Sequence, residues 1–302
     1  MNHPHSIYRG RFAPSPTGPL HFGSLVAALA SFLDARHNNG QWLVRIEDID
    51  PLREVPGASS DILHTLESHH LCWDETICYQ SQRSSAYELT IDQLKAKGHT
   101  YYCPCSRKTL TTNQGVHSPE CNPAAPSKLL PCATRFRATN HRFHWHDLLL
   151  GPQSYLASEQ SDDFVIKRKE GFYAYQLAVV CDDIEQNITH IVRGSDLLDS
   201  TPPQLALYDA LTVKPPQFGH IPVILNSSGQ KLSKQNLAPS INNSQVSQNL
   251  KQALSALNQP LPQALCNAPA EEIINWAITN WSLALVPKRH SLQGGWLTGS
   301  EL

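Results

Sequence analysis

Arg11-Phe12-Ala13-Pro14-Ser15-Pro16-Thr17-Gly18-Pro19-Leu20-His21-Phe22-Gly23-Ser24 is the stretch on which the fold turns. Residues 8–13 read as a short strand that runs into a Pro/Gly-rich loop. Leu25, Val26, Ala28, Leu29, Phe32 and Leu33 then recur at helical spacing, and Asn38-Asn39-Gly40 supplies a stop. Residues 41–47 are largely apolar and of strand length. Strand, glycine-containing loop, helix and strand make a βαβ unit, which predicts a parallel sheet. The crevice where such a strand meets its helix is the usual ligand site of an open α/β sheet. Gly18 and Gly23 permit close backbone approach there, and a helix N-terminus favours phosphate. His21 can donate a hydrogen bond to a phosphate oxygen at that end.

Around this unit the chain of 302 residues has room for one large domain or two modest ones. Its hydrophobic fraction of 40% suffices for a packed core, and the net charge of −2 argues against a generally basic nucleic-acid binder. A local basic surface would still allow an RNA partner. Lys167-Arg168-Lys169 offers one and reads equally as a solvated charge run. The first residues hold no apolar run like a signal peptide, and no window approaches a membrane span, so a cytoplasmic protein without a membrane partner is expected. Residues 57–68 and 86–97 read as amphipathic helices. Segments 164–167, 175–180 and 191–194 read as strands, and 203–211 as a helix. Residues 237–248, rich in Asn, Ser and Gln, read as a linker before helices around 249–258 and 270–281.

Cysteines in a cytoplasmic chain are reduced thiols or metal ligands, not a disulfide framework. Residues 101–132 form a Pro-broken, cysteine-rich insert containing Cys103-Pro104-Cys105, His117 and Cys121. A Cys₃His set closes a tetrahedral Zn²⁺ site with no open position, so the expected zinc is structural. Cys72, Cys78, Cys132, Cys181 and Cys266 lack such spacing and read as packing residues. His99, His141, His144 and His146 are the alternative ligands.

The opening segment resembles the first signature of the class I aminoacyl-tRNA synthetases in its glutamyl form, with the family's histidine tetrapeptide appearing as His21-Phe22-Gly23-Ser24. Its fourth position is Ser rather than His, which rests the phosphate role on His21, with Gly23 beside it. The resemblance implies a second, lysine-rich signature downstream, and Lys231-Leu232-Ser233-Lys234-Gln235 meets it. There Lys231, Ser233 and Lys234 would hold the triphosphate, and the two ammonium groups would neutralise its charge as pyrophosphate departs. The resemblance also implies an amino-acid pocket. Glu47, in Arg45-Ile46-Glu47-Asp48-Ile49-Asp50, would bind the α-ammonium group. Arg11 through Ser15 (Phe12, Ala13 and Pro14 between them), Tyr175 and Arg193 would complete it. Two arginines facing one carboxylate make chemical sense, since guanidinium binds carboxylate in a bidentate way. The implied chemistry is attack of L-glutamate on the α-phosphate of ATP, with Mg²⁺ on the triphosphate. Positioning and charge stabilisation suffice for it, without a nucleophilic side chain.

The fold so implied is α/β. It comprises the first half of a Rossmann-type doubly wound parallel-sheet domain (1–100), the zinc-stapled part of an insert (101–132), the rest of that insert with the second half of the domain and the lysine loop (133–236), and a linker and short helical stem (237–302). Only 68 residues follow Lys234, short of the roughly 100–150 of a typical domain. The pattern is similar to the glutamyl-queuosine tRNA(Asp) synthetases, short relatives without an anticodon-binding domain. That family activates glutamate without tRNA and esterifies it to the cyclopentene diol of queuosine in the anticodon arm of tRNA(Asp). The rivals are glutamylation of the 3′ end of tRNA(Glu), transfer to a protein or small carrier, and a non-catalytic paralogue that binds glutamate or RNA.

Overall fold

The computed structural model describes residues 7–112, 121, 131–159, 162–226, 228–232 and 239–293. Strand β1 (Arg9–Phe12) leads through the Pro/Gly loop to helix α1 (Phe22–His37). The apolar residues that predicted this helix, Leu25 to Leu33, are all buried. Strand β2 (Gln41–Ile46) returns parallel to β1, in register from Arg9↔Gln41 to Phe12↔Val44. Helix α2 (Ala58–Ser68) follows, then β3 (Cys78–Tyr79) parallel to β2, then α3 (Ser84–Ala96).

The insert begins with β4 (Thr100–Cys103) and α4 (Arg107–Thr112). After the cysteine-rich stretch come β5 (Ala133–Phe136), β6 (His141–Asp147), β7 (Gly151–Ala157) and β8 (Phe164–Lys167). β4, β5 and β8 make an antiparallel sheet, and β6 and β7 form a hairpin in full register. The chain then returns through α5 (Tyr175–Glu185), β9 (His190–Gly194), α6 (Thr201–Leu211) and β10 (Gln217–Ile221), with β9 and β10 parallel. The Thr189 N–H donates to the Arg9 carbonyl at 2.9 Å and ties the start of β9 to β1. The last elements are β11 (Val223–Leu225), α7 (Val246–Ala256), α8 (Ala270–Asn280) and β12 (Ser291–Gln293), which pairs parallel to β11.

Apolar side chains gather in two main clusters. One joins α1 to β2 and to both C-terminal helices through Leu250, Leu254, Ile273, Ile274 and Trp281. The Trp281 indole N–H also donates to Asp34 of α1 at 2.9 Å. The second joins α3, α5, α6 and β10. Each fully buried leucine in such a cluster contributes about 1.5–3 kcal/mol of transfer free energy, so α1 is clamped between sheet and helices along its length.

Residues 175–180, read from sequence as a strand, open helix α5 instead. The run Leu177-Ala178-Val179-Val180 is apolar on every side because α5 packs against α3 and α6 as well as the sheet. An all-round apolar run carries neither period, and short ones cannot be told from strands. The β6–β7 hairpin was not foreseen, because its histidines and arginine interrupt the apolar alternation that marks a strand.

Candidate active site

The C-terminal ends of β1, β2 and β9 and the first turns of α1 and α5 enclose a cavity of about 500 Å³. Its walls include Arg11, Phe12, Ala13, Pro14, Ser15, His21, Gly23, Glu47, Tyr175, Arg193 and Lys231. Residues picked from five separate stretches of sequence thus share one space. Ser233, Lys234 and His117 lie outside the described residues.

His21 is the N-cap of α1. Its Nδ1 accepts the N–H of Ser24 at 3.2 Å, and its Nε2 lies 3.0 Å from Ser24 Oγ. A backbone N–H can only donate, so Nδ1 must offer a lone pair and the neutral ring carries its proton on Nε2. The cap therefore fixes the tautomer, with the Nε2–H facing Ser24 Oγ. Gly23 leaves room beside it: a Cβ there would sit 3.3 Å from the His21 ring, a tight contact. The lysine segment closes against this end. The Leu232 N–H donates to Ile224 O at 2.8 Å, the Ile241 N–H donates to Leu20 O at 2.9 Å, and Lys231 pairs with Asp196. Lys231 and Leu232 are thus neighbours in space of a motif about two hundred residues away.

On the amino-acid side, a buried cluster of charge sits beneath the cavity. Arg11 reaches Asp183 of α5 through Nε and Nη2 at 3.2 and 3.4 Å. Arg45 reaches the same carboxylate at 2.7 Å and Gln186 Oε1 at 2.7 Å. Burial alone would raise the Asp183 carboxyl, but the two guanidinium groups outweigh it and hold it below the usual range. Arg11 Nη1 has no hydrogen-bond partner among the described residues.

Glu47 follows directly on β2, and its N–H donates to Pro14 O at 3.0 Å. Its side chain is 8% exposed and lies 4.0 Å from Arg45 Nε. Burial pushes its carboxyl up to about 7, with Arg45 and Arg11 offsetting only part of that cost. Ionising a carboxyl in so buried a place is favoured by a further cation beside it. The half-buried Tyr175 hydroxyl is raised by burial and by the nearby Glu47.

Away from the cavity, Cys103, Cys105 and Cys121 bring their sulfurs within 4.8 Å of one another, with Cys105 and Cys121 at 3.7 Å. Tetrahedral Zn–S bonds of about 2.3 Å would set sulfurs about 3.8 Å apart, so the spacing fits a zinc ion. Burial and the two neighbouring thiols push the Cys121 thiol up, a cost that a bound cation reverses by taking the thiolates as ligands. Cys132 is outside this group, and the hairpin histidines His141, His144 and His146 do not join it. The Lys167-Arg168-Lys169 run is committed to Glu88, Asp50 and the Pro104 carbonyl.

Sequence reasoning missed Arg45, Asp183, Asp147 and His220 as parts of this region. The available signal was Asp182-Asp183 at the end of an apolar run, since adjacent acids there demand buried partners.

Residues 8–259 match the family of tRNA synthetases class I (E and Q), catalytic domain. The glutamyl-Q tRNA(Asp) synthetase of Vibrio cholerae is 43% identical over 281 residues, covering 93% of this chain and 92% of that protein. The same-named protein of Chromobacterium violaceum is 46% identical, covering 93% and 96%. Among solved structures, a glutamate tRNA ligase from Elizabethkingia meningosepticum in complex with its amino acid superimposes with a TM-score of 0.76 at 25% identity. It covers 95% of this chain and 66% of that one. The chain is a ligase, and it belongs to the class I tRNA synthetases of the glutamate and glutamine type, within the family of the glutamyl-Q tRNA(Asp) synthetases.

Proposed function

We propose that the protein activates L-glutamate with ATP, without tRNA, and transfers it to the cyclopentene diol of queuosine in the anticodon of tRNA(Asp). The observation that carries this reading is the single cavity in which Glu47, Arg11 and Arg193 lie together with His21 and Lys231. Glu47 takes the α-ammonium group, and the arginines take the side-chain carboxylate. Phe12 to Ser15 and Tyr175 shape the pocket. His21 Nε2–H, Gly23 and the Lys231–Ser233–Lys234 loop take the triphosphate with its Mg²⁺, and the lysines offset charge on the departing pyrophosphate. The acceptor is supported by the names of relatives that match this chain over most of their length.

The parallel strands β3, β2 and β1 and the pair β9 and β10, joined at Arg9 and Thr189, read as one Rossmann-type doubly wound sheet. The Cys103, Cys105 and Cys121 thiols, with His117, would hold a structural zinc. No helix among the described residues is long and apolar enough to cross a membrane. The functional test offers labelled glutamate and ATP with tRNA(Asp), with and without queuosine, beside tRNA(Glu). Label confined to queuosine-containing tRNA(Asp) and surviving removal of the 3′ end supports the proposal. Label on tRNA(Glu) that is lost with its 3′ end overturns the acceptor.

A further inference from the structure

Arg193 is held more completely than any other side chain described for the cavity. Its Nε–H goes to His220 Nε2 at 3.0 Å and one Nη1–H to Gln204 Oε1 at 2.9 Å. Its Nη2 donates to the Leu197 carbonyl at 3.1 Å and to Thr201 Oγ1 at 2.9 Å. A guanidinium has five N–H bonds, so one, on Nη1, is left without a partner among the described residues. Because guanidinium only donates, His220 Nε2 must present its lone pair, and the imidazole proton must sit on Nδ1.

That Nδ1 meets Asp147 Oδ2 at 2.5 Å. The other carboxylate oxygen, Oδ1, is occupied by three backbone donors: Leu149 N at 3.0 Å, Leu150 N at 2.9 Å and His220 N at 3.2 Å. Both side chains are fully buried. Burial lowers the His220 pKa despite the acid beside it, in keeping with a neutral ring. A proton on Nε2 would set one N–H against another and push Arg193 out of place.

We propose that Asp147 and His220 are positioning residues for the amino-acid substrate. The pair locks the imidazole as its Nδ1–H tautomer, so that Arg193 presents its remaining Nη1–H to the substrate's side-chain carboxylate. The inference rests on the reading of the cavity as a glutamate site. Neither residue touches the cavity, and the lock crosses the fold: Asp147 ends the hairpin strand β6 in the insert, while His220 belongs to β10.

Asp147→Asn tests this at constant shape. The three backbone donors keep the amide oxygen at the Oδ1 position and thereby turn the NH₂ toward His220. The ring must then accept at Nδ1 and carry its proton on Nε2, facing Arg193. In glutamate-dependent ATP–pyrophosphate exchange, the glutamate KM is expected to rise about tenfold or more, with the KM for ATP within about twofold. His220→Gln with Asp147 intact keeps an acceptor for Arg193, since its NH₂ faces the carboxylate and its Oε1 faces the guanidinium, and should keep most of the glutamate KM. Histidine ¹⁵N shifts report the tautomer directly: wild type should show Nδ1–H at His220, and Asp147→Asn should show Nε2–H. Unchanged glutamate KM in a folded Asp147→Asn protein would overturn the lock. If that variant does not fold, His220→Gln against His220→Leu decides, because equal glutamate KM values would likewise overturn it. Absence of glutamate-dependent exchange in the wild type would sink the functional reading itself, a separate outcome from an active wild type insensitive to Asp147→Asn.

Discussion

Glutamate affinity should climb with pH through neutrality, and Glu47 should be the cause. Its carboxyl is pushed up to about 7 by burial, whereas a carboxylate in water titrates near 4.3. Binding the α-ammonium group requires the ionised form. With a pKa of about 7, roughly one-tenth of the free protein is ionised at pH 6 and about nine-tenths at pH 8. The apparent dissociation constant for glutamate should therefore fall about tenfold across that interval, while the ligand's own charges stay fixed. An ordinary carboxyl would give a flat line. In Glu47→Gln the dependence should vanish, with affinity at pH 8 lower by about ten- to a hundredfold for the lost charge-assisted contact. Near pH 6 the gap between the two proteins should be about tenfold narrower than at pH 8.

The same shift has a consequence for stability. The folded state holds this proton more tightly than the unfolded chain, so the stabilising contribution is complete below the ordinary carboxyl pKa. It is lost as the pH rises to about 7, by at most about 3–4 kcal/mol. Glutamate, by supplying the missing cation, should raise the melting temperature more at pH 8 than at pH 6. Calorimetric titration with L-glutamate from pH 5.5 to 8.5 is the assay. A flat wild-type profile refutes the raised carboxyl, and unchanged affinity in Glu47→Gln refutes its role toward the ammonium group.

The remaining predictions concern phosphate and metal. His21→Ala removes both the helix cap and the Nε2–H donor, and should lower kcat for pyrophosphate exchange about a hundredfold. Loss of the cap should also cost about 1 kcal/mol of stability, so a variant with near-normal exchange would remove His21 from the chemistry. Lys231→Met should reduce exchange while leaving glutamate binding intact by calorimetry, and weakened glutamate binding would place Lys231 in the amino-acid pocket instead. Cys105→Ser should lower the zinc content of the purified protein and its melting temperature, and unchanged metal stoichiometry would remove the proposed centre.

The first half of the parallel sheet could be read from sequence because each cue was local. Leu25 to Leu33 repeat at helical spacing within one helix, and residues 41–46 form one apolar strand. Cys103 and Cys105 were equally visible, two residues apart. What escaped was pairing over distance. Arg11 meets Asp183 172 residues away, and His220 meets Asp147 across 73. A buried acid at the end of a helix says that a partner exists but not which one, since only the fold brings α5 beneath β1 and β2. The misread run 175–180 has the same origin. Its even apolarity reports burial on all sides, and burial is a property of neighbours.

The arrangement of those distant charges bears on the choice of amino acid. Arg11, Arg45, Arg83 and Arg193 stand with Asp182, Asp183 and Glu47 in and beneath the cavity wall, and Asp147 reaches Arg193 through His220. Taking such groups from water is costly unless every charge is matched and hydrogen-bonded. Asp183 is already hydrogen-bonded to Arg11 and Arg45 and makes no hydrogen bond to Arg193 among the described residues. In the proposed reading, the ligand's α-ammonium answers Glu47, and its side-chain carboxylate answers the N–H that Arg193 has left. Glutamine would satisfy the first contact and offer the second a neutral amide in place of a charge-assisted partner. A site that must pair a charge rejects the neutral isostere more strongly than a merely shaped pocket could. On that argument the selectivity for glutamate is set beneath the cavity, where Asp183 occupies one arginine and Asp147 with His220 holds the other in place.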